Sequence, residues 1–592
     1  MQIRTRSEQL VEDTWDLGSL FSDAQDWEQG METLKRCIEE APSFRGSLQK
    51  GKEEFLATMR WYEQTAILAE RLYNWAFLNY SSDASSSEQV RRYAQVSSSM
   101  SQLSAAMAYF DPELLGLDDT VVEAYLADPA FGDYAVFIRK ARRFKAHVLD
   151  EAQERLMALQ SEVASVPRTT FSDLTNVDFD FGMLDGSPLT QSTFSSFLMQ
   201  EDRELRKKAY KQFYHVYDAS KHALARLYEG QVKQDIFRAK ARGYESCRAM
   251  ALFPDNVPIA VYDSLIAAVH EALPTLHRYY RLRARLLGLE KLAHYDVYVP
   301  LVGGIHTNTP YAQAVEIIAK ALAPLGAEYV RTLTDGLTTE RWVDRYENKG
   351  KRSGAFSSGT FTSKPYILLN YKEDVLRDVF TVAHEGGHSM HSHYSAANNP
   401  FFQYDYTIFE AEVASTFNEQ LLARYLIEQS EDQAMKAYIL GKQLDDIVAT
   451  LFRQTMFAEY ELRTHQLAEE GTPLTLELLR SEYRSLLQTY FGDAVEFEEE
   501  SDLEGLRIPH FYSSFYVYKY ATGISAAIAL SRKVLENGES ARKDYLTFLS
   551  SGGREYPIDS LRMAGVDMAD EQPVREALAT FANLLSQFEA LA

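Results

Sequence analysis

The sequence predicts a mainly α-helical protein with only a few short strands, and three observations support this. Prolines are sparse, 17 in 592 residues, and none lies between Pro42 and Pro112, between Pro188 and Pro254, or between Pro400 and Pro473. Because proline breaks helix interiors, such stretches can run as long helices. Within them apolar residues recur at three- and four-residue spacing, and in one such stretch Leu205, Tyr210 and Phe213 interleave with Arg203, Arg206 and Lys207. The composition, 46% hydrophobic and 25% charged, is that of a globular chain and excludes a disordered or collagen-like protein.

Taken in order, residues 1–165 read as an N-terminal helical region and residues 166–592 as the region that holds the chemistry. The boundary is expected between Pro167 and Pro188, where the helical pattern lapses. There FSDLTNVDFDFG, Phe171 to Gly182, alternates in part and carries turn residues, which predicts short strands. Glu201 to Tyr244 predicts one long helix. Gly354 to Tyr371 predicts a glycine-punctuated hairpin whose second arm is Tyr366 to Asn370. The acidic run from Glu496 to Asp502 reads as a loop or an exposed helix end.

Charge and cysteine content narrow the function classes. The formal net charge of −24 argues against a nucleic-acid binder, whose phosphate contacts need clustered Lys and Arg. The two cysteines, Cys37 and Cys247, exclude a disulfide framework and a cysteine-built metal site. No stretch approaches ~18 uninterrupted apolar residues, so no membrane span is expected. The N-terminus lacks the apolar core of a signal peptide. The cytoplasm is the expected compartment.

The informative segment is DVFTVAHEGGHSMHSHY, Asp378 to Tyr394. His384 and His388 are four apart, so on a helix they occupy one face and can grip one ion together. Glu385 adjoins the first histidine, where its carboxylate reaches a water at the open metal position rather than the metal itself. Imidazole ligands suit Zn²⁺, and a catalytic zinc keeps three protein ligands and one open position. Val379, Phe380, Val382 and Ala383 lead into the motif and predict a buried helix. Gly386 and Gly387 each cost about 1 kcal/mol in a helix relative to alanine, which implies that something approaches the backbone there.

A third ligand must come from elsewhere. The continuation that would place a histidine at 394 is absent, because that residue is Tyr394. In FEAEVASTFNEQLLARYL, Phe409 to Leu426, Glu412 and Glu419 are seven apart and share a helix face. Ala414, Ser415 and Thr416 are small enough for close helix approach, whereas Glu410 would point elsewhere. Glu412 is therefore the expected third ligand, and Glu419 the expected partner of a ligand histidine. His391, three residues after His388, reads either as a partner of the site or as an ordinary helix histidine.

HEGGHSMH followed by FEAEVASTFNE resembles the oligoendopeptidase F group of zinc metallopeptidases, relatives of thimet oligopeptidase. The resemblance extends to RSGAFSSG with YILLNY, to IPHFYSSFYVYKYATG (Ile508 to Gly523), and to SGG with AGVDM near the C-terminus. It implies a bilobed helical body around a deep channel, one Zn²⁺ per chain, and cleavage of short peptides. The family commonly has a bulky residue at one of the positions held here by Gly386 and Gly387, and two glycines predict a wider or looser site. Beside the motif and the resemblance, His510 and Tyr516 become candidates to stabilise the reacting carbonyl, with Tyr512 or Tyr520 able to replace Tyr516 or to contact substrate. Gly354 and Ala355 in the hairpin are candidates to bind peptide backbone by strand addition. Two other readings stay open. One is a zinc carboxypeptidase on a similar body, for which Arg352 or Lys519 would hold the terminal carboxylate. The other is a peptide-binding relative without catalysis.

Overall fold

The computed structural model describes residues 3–303 and 307–592, and among these the protein is mainly α-helical, as the sequence predicts. The chain forms two compact units, each assembled from three stretches. The first comprises Met1–Ala146, His306–Tyr425 and Leu530–Val566, and the second His147–Ile305, Leu426–Ala529 and Asp567–Ala592.

In the first unit the helices Ala24–Glu40 and Lys52–Ser82 pack through an aromatic core. Asp23 starts the former by accepting the Gln25 and Asp26 amides at 2.8 and 2.9 Å, which satisfies two otherwise orphaned donors. Trp27 and Trp75 stack with centroids 5.6 Å apart, and Trp27 Nε1 donates to the Leu72 carbonyl at 3.0 Å. A three-stranded sheet leans on this core. Its middle strand, Tyr366–Leu368, pairs in parallel with Val343–Asp344 and antiparallel with Phe356–Ser358. The Tyr366 hydroxyl reaches the Asp16 carbonyl at 2.7 Å, tying the sheet to the N-terminal segment. The hairpin expected from Gly354 to Tyr371 is therefore present, with three-residue arms.

The second unit is built on the helix Arg203–Ala241, close to the predicted span, and on Ile259–Leu286, Arg453–Glu469 and Leu476–Phe491. Asp202 caps the first of these through the Glu204 amide at 2.9 Å. At the centre of this unit Glu504 accepts from Arg453 Nη2 at 2.7 Å, from Tyr483 Oη at 2.8 Å and from Arg507 Nη2 at 3.2 Å. Burial alone would raise the Glu504 carboxyl, but the two guanidinium groups outweigh it and hold it well below the usual carboxylate range.

Two expectations need correction, the second only in part. Phe171 to Gly182 does not form strands: the helix Glu151–Asp173 runs through Pro167 and continues as a π-turn over Leu174–Asp178, leaving only Met183–Leu184 and Ser187–Pro188 paired. The alternation there reflects aromatic packing, with Phe181 stacked on Phe213 at 4.5 Å. The acidic run is exposed at Glu496 and Glu499, as expected, but not at its end. Asp502 is buried and bonded to Arg480 and Arg484 at 2.6 and 3.0 Å, because the charges on the neighbouring helix draw it inward. Proline is also no absolute barrier here, since Pro274 sits inside Ile259–Leu286. No helix of the described residues is long and apolar enough to cross a membrane.

His294 lies beside Glu504, fully buried, with Nδ1 on the Tyr210 hydroxyl at 2.9 Å. Burial pushes it down to about 4, against ~6.5 when unfolded. Its neutral form is thus favoured by folding. Its contribution is complete above pH ~6.5 and is lost as pH falls through that value toward 4. Urea denaturation followed by circular dichroism should show stability dropping across this window. His294→Gln should flatten that slope by up to about 3 kcal/mol, and an unchanged slope would remove His294 from the acid response.

Candidate active site

The residues singled out in HEGGH lie on the helix Leu376–Asn398, which Val379, Phe380, Val382 and Ala383 anchor by being buried, as expected. The four-residue spacing puts the His384 and His388 rings side by side, centroids 4.9 Å apart. A second helix, Ile408–Gln429, crosses the first at Gly387. A methyl group on Gly387 would lie 2.6 Å from both the Ala414 carbonyl oxygen and Ser415 Cα, so backbone meets backbone and only glycine fits. At Gly386 the nearest atom would be the flexible end of Leu333, at 3.1 Å. The paired glycines therefore do not loosen the site: Gly387 is what lets the two helices touch. Asn418 fastens the crossing, donating from Nδ2 to the Ala383 carbonyl at 3.1 Å and accepting the Tyr329 hydroxyl at 3.2 Å.

This crossing brings together His384, His388 and Glu412. Glu412 Oε2 lies 3.7 Å from His384 Nε2 and 4.0 Å from His388 Nε2, and all three ligand atoms fall within 4.8 Å of one another. Bonds of about 2.0–2.1 Å to a tetrahedral ion separate its ligands by roughly 3.3 Å, so a small closure would complete the set. The other ring nitrogens are already committed. His384 Nδ1 bonds Glu419 Oε1 at 2.5 Å, and the His388 ring is hydrogen-bonded to the Ala411 carbonyl. These contacts turn both Nε2 atoms toward Glu412. Burial depresses the protonated form of both rings. At His384 the hydrogen bond and charge of Glu419, with Glu385 and Glu412, outweigh burial and raise it to about 9, whereas His388 falls to about 3. Glu419 thus favours the charged form of the His384 ring, whereas the His388 ring is held neutral.

Glu385 stands apart from the three donors. It is buried and accepts the Ser357 amide from the edge strand of the sheet, and Ser357 Oγ meets Ser389 Oγ at 2.8 Å. Burial, helped by the charges of Glu412 and Glu419, pushes Glu385 up to about 7. Glu410 is turned away and accepts the Thr407 amide at 3.2 Å.

Comparison with known proteins gives this geometry its context. Residues 196–580 match the model of Peptidase family M3, and residues 113–181 that of Oligopeptidase F. The chain belongs to peptidase family M3. It is 40% identical to an oligoendopeptidase F homolog of Borreliella burgdorferi, over 99% of both chains, and 39% identical to the oligopeptidase PepF of Bacillus subtilis, over 100% of this chain and 89% of the other. The structure of oligoendopeptidase-F from Enterococcus faecium superposes with a TM-score of 0.74 at 32% identity, covering 96% of this chain and 99% of that one. A chain from Chlamydophila abortus gives 0.92 at 35% identity over all of both. This M3 peptidase is a metalloendopeptidase of oligopeptides, which implies a metal, and the donor set of His384, His388 and Glu412 fits one.

Other expected residues lie as follows. His391 is buried on the same helix, its ring stacked on Tyr406 at 3.6 Å, and neither ring nitrogen has a hydrogen-bond partner among the described residues. Gly354 and Ala355 line a cavity of about 460 Å³ with Asn370, Lys372 and Arg377. Gly354 has φ +83°, so its backbone requires glycine even though space is open around it. In the second unit, His510 and Tyr516 stack in parallel, centroids 6.1 Å apart, with Tyr520 edge-on to both at 5.9 and 5.5 Å. His510 lies in a short 3-10 turn, Pro509–Tyr512, and Tyr516 precedes the helix Tyr518–Asn537, so the two belong to a segment that is not one continuous helix. Tyr512 is buried against Phe171 at 4.4 Å. The cations considered for an exopeptidase are engaged: Lys519 pairs with Asp255 at 2.6 Å, and Arg352 lies over the Phe77 and Phe356 rings.

Sequence reasoning missed the Ala411 carbonyl and the Ser357 amide, backbone groups that carry no residue-type signal. It also missed Asn418, whose only cue is a polar residue on an otherwise small, apolar face.

The glycine contacts predict an asymmetry. Gly387→Ala should force the helices apart, costing about 1–3 kcal/mol and lowering metal content in purified protein. Gly386→Ala should need only a shift of Leu333 and leave metal content unchanged. Equal effects of the two changes, read by metal analysis and thermal melting, would contradict the backbone-contact argument.

Proposed function

We propose that the metal is zinc, that His384, His388 and Glu412 hold it, and that Glu385 is the general base. The observation that carries this reading is the convergence of two imidazole nitrogens and one carboxylate oxygen, with a second carboxylate buried beside them but outside the set. Two imidazoles and a carboxylate form a donor set suited to catalytic zinc. When bound there, zinc supplies a Lewis acid that polarises the scissile carbonyl and makes water acidic enough to attack at neutral pH.

The chain's own groups do the rest. Glu419 orients His384, and the Ala411 carbonyl orients His388. Glu385, aimed by the Ser357 amide, takes the proton of the attacking water and delivers it to the leaving nitrogen. His510 and Tyr516 are proposed to donate hydrogen bonds to the carbonyl oxygen as negative charge develops on it, with Tyr520 supporting their rings. The hairpin at Gly354 and Ala355 is proposed to receive peptide backbone. Both cysteines are thiols, which supports residence in a reducing, cytoplasmic compartment.

Glu385→Gln should retain stoichiometric zinc while turnover falls about 10²–10⁴-fold, whereas Glu412→Ala should lose zinc. A fully active Glu385→Gln, or normal zinc binding by Glu412→Ala, would overturn the assignment. Tyr516→Phe should lower kcat about 10²–10³-fold with little change in zinc content or KM, and unchanged turnover would remove Tyr516 from the reaction.

A further inference from the structure

The helix that carries the histidine motif also borders a cavity of about 460 Å³ in the same unit. Arg377, Asp378 and Thr381 of that helix line it, together with Gly354, Ala355 and Lys372 from the hairpin and the loop that follows it. Every lining residue falls between Glu347 and Thr381, within one stretch of the first unit. Helix geometry ties the cavity to the donor set. Arg377, Thr381, His384 and His388 are spaced by four, three and four residues, so they share one face. Arg377 precedes His384 by two turns, about 10 Å along the axis.

The edge strand points the same way. Ser357 commits its outward amide to Glu385. Ala355 precedes it by two residues and, by strand alternation, turns its amide and carbonyl to the same edge, at the cavity. Asn370 holds Gly354 from the other side, donating from Nδ2 to its carbonyl at 2.9 Å. A peptide paired to this edge runs from Glu385 toward the cavity and advances about 3.3 Å per residue. Its side chains therefore come level with Arg377 within about three residues of the scissile bond.

The charges around the cavity are not equally engaged. The Lys351 side chain is buried, with Nζ on Asp344 Oδ1 at 2.7 Å and on the Tyr346 carbonyl at 2.6 Å. Asp378 accepts the Lys372 amide at 2.8 Å, and Glu347 lies in the field of Lys351. The Lys372 and Arg377 side chains are exposed. Among the described residues neither has an ion pair or a side-chain hydrogen bond, and the carboxylate nearest to both, Asp378, is already held by a backbone donor. In a chain with 85 acidic and 61 basic residues, two cations left without a partner at one cavity suit an incoming anion.

We propose that Lys372 and Arg377 form a carboxylate-binding subsite for the peptide substrate, so that this M3 peptidase favours peptides carrying a carboxylate within about three residues of the cleaved bond. The inference rests on the proposed metal site and on the proposed strand addition at Ala355. The carboxylate belongs to an Asp or Glu side chain or to the peptide's C-terminus, and both present the same pair of acceptor oxygens.

The test uses the full-length, metal-loaded enzyme and matched short peptides, each cut at one bond. One set pairs Glu with Gln at each of three positions on either side of that bond, in peptides blocked at both ends. The other pairs a free C-terminus with a carboxamide. For the wild type, kcat/KM should be about fivefold higher for the carboxylate member of one pair, mostly through KM, as suits partly exposed charges. The pair that shows the ratio identifies the source. Lys372→Gln combined with Arg377→Gln should bring the ratio to about one, and Arg377→Glu should favour Lys over Gln at the same position. No wild-type preference, or a preference that survives the Gln pair, would overturn the subsite. If the Gln pair does not fold, each single Gln variant reads the same ratio. Calorimetric binding of the peptides to Glu385→Gln should reproduce the preference in Kd, and equal Kd values would also overturn it. The proposed chemistry fails separately: a fully active Glu385→Gln would sink that reading, whereas the Glu-to-Gln ratio judges Lys372 and Arg377 alone.

Discussion

The candidate metal centre depends on one contact between two helices. Where Leu376–Asn398 meets Ile408–Gln429, Gly387 rests against the Ala414 carbonyl and Ser415 Cα at distances that leave no room for a methyl group. This proximity is what brings Glu412 within 4.0 Å of both histidines and lets Glu419 reach His384 on the same face. A carboxylate side chain is short. Helices held even one methyl apart would leave two histidines on one helix and two glutamates on another. The energetic cost of glycine within a helix is offset by a donor set that neither helix could assemble alone.

A second dependence runs through the sheet. Ile367 donates its amide to Trp342 on the far side, so the opposing residue, Ser357, turns its own amide outward from the edge strand. That amide meets Glu385, and Ser357 Oγ meets Ser389 on the helix that carries the motif. The strand is held from behind by the long N-terminal helix, through Ser358 Oγ on Asn74 Oδ1 at 2.8 Å and Phe356 against Phe77 at 5.2 Å. The N-terminal region, which carries none of the motif residues, therefore fixes the direction of a carboxylate far away in sequence.

Much of this was legible in the residues and some was not. Spacing alone put His384 and His388 on one face, and a seven-residue interval did the same for Glu412 and Glu419. The glycine pair announced a close approach because its cost needed a reason, although not that the approaching group was another helix's backbone. Hairpin and long-helix signals were strong because glycine and proline placement speaks directly to backbone freedom. The reading failed where packing overrode local pattern. Phe171 to Gly182 alternates like a strand but folds as helix and π-turn because its aromatics join a stack with Phe213 and Tyr217. The acidic run is solvated at Glu496 and Glu499, yet Arg480 and Arg484 draw its last residue, Asp502, into the unit. Backbone donors such as Ser357 and acceptors such as Ala411 leave no trace in residue identity.

The central claim, that the Gly387 crossing supplies a glutamate as third ligand to two histidines, is tested most directly by X-ray absorption fine structure at the zinc edge of the purified enzyme. The account predicts one zinc per chain with two imidazole nitrogens at about 2.0–2.1 Å and carboxylate or water oxygens completing the shell. A shell with three imidazoles, which would draw in His391, or one built from oxygen alone, would contradict it.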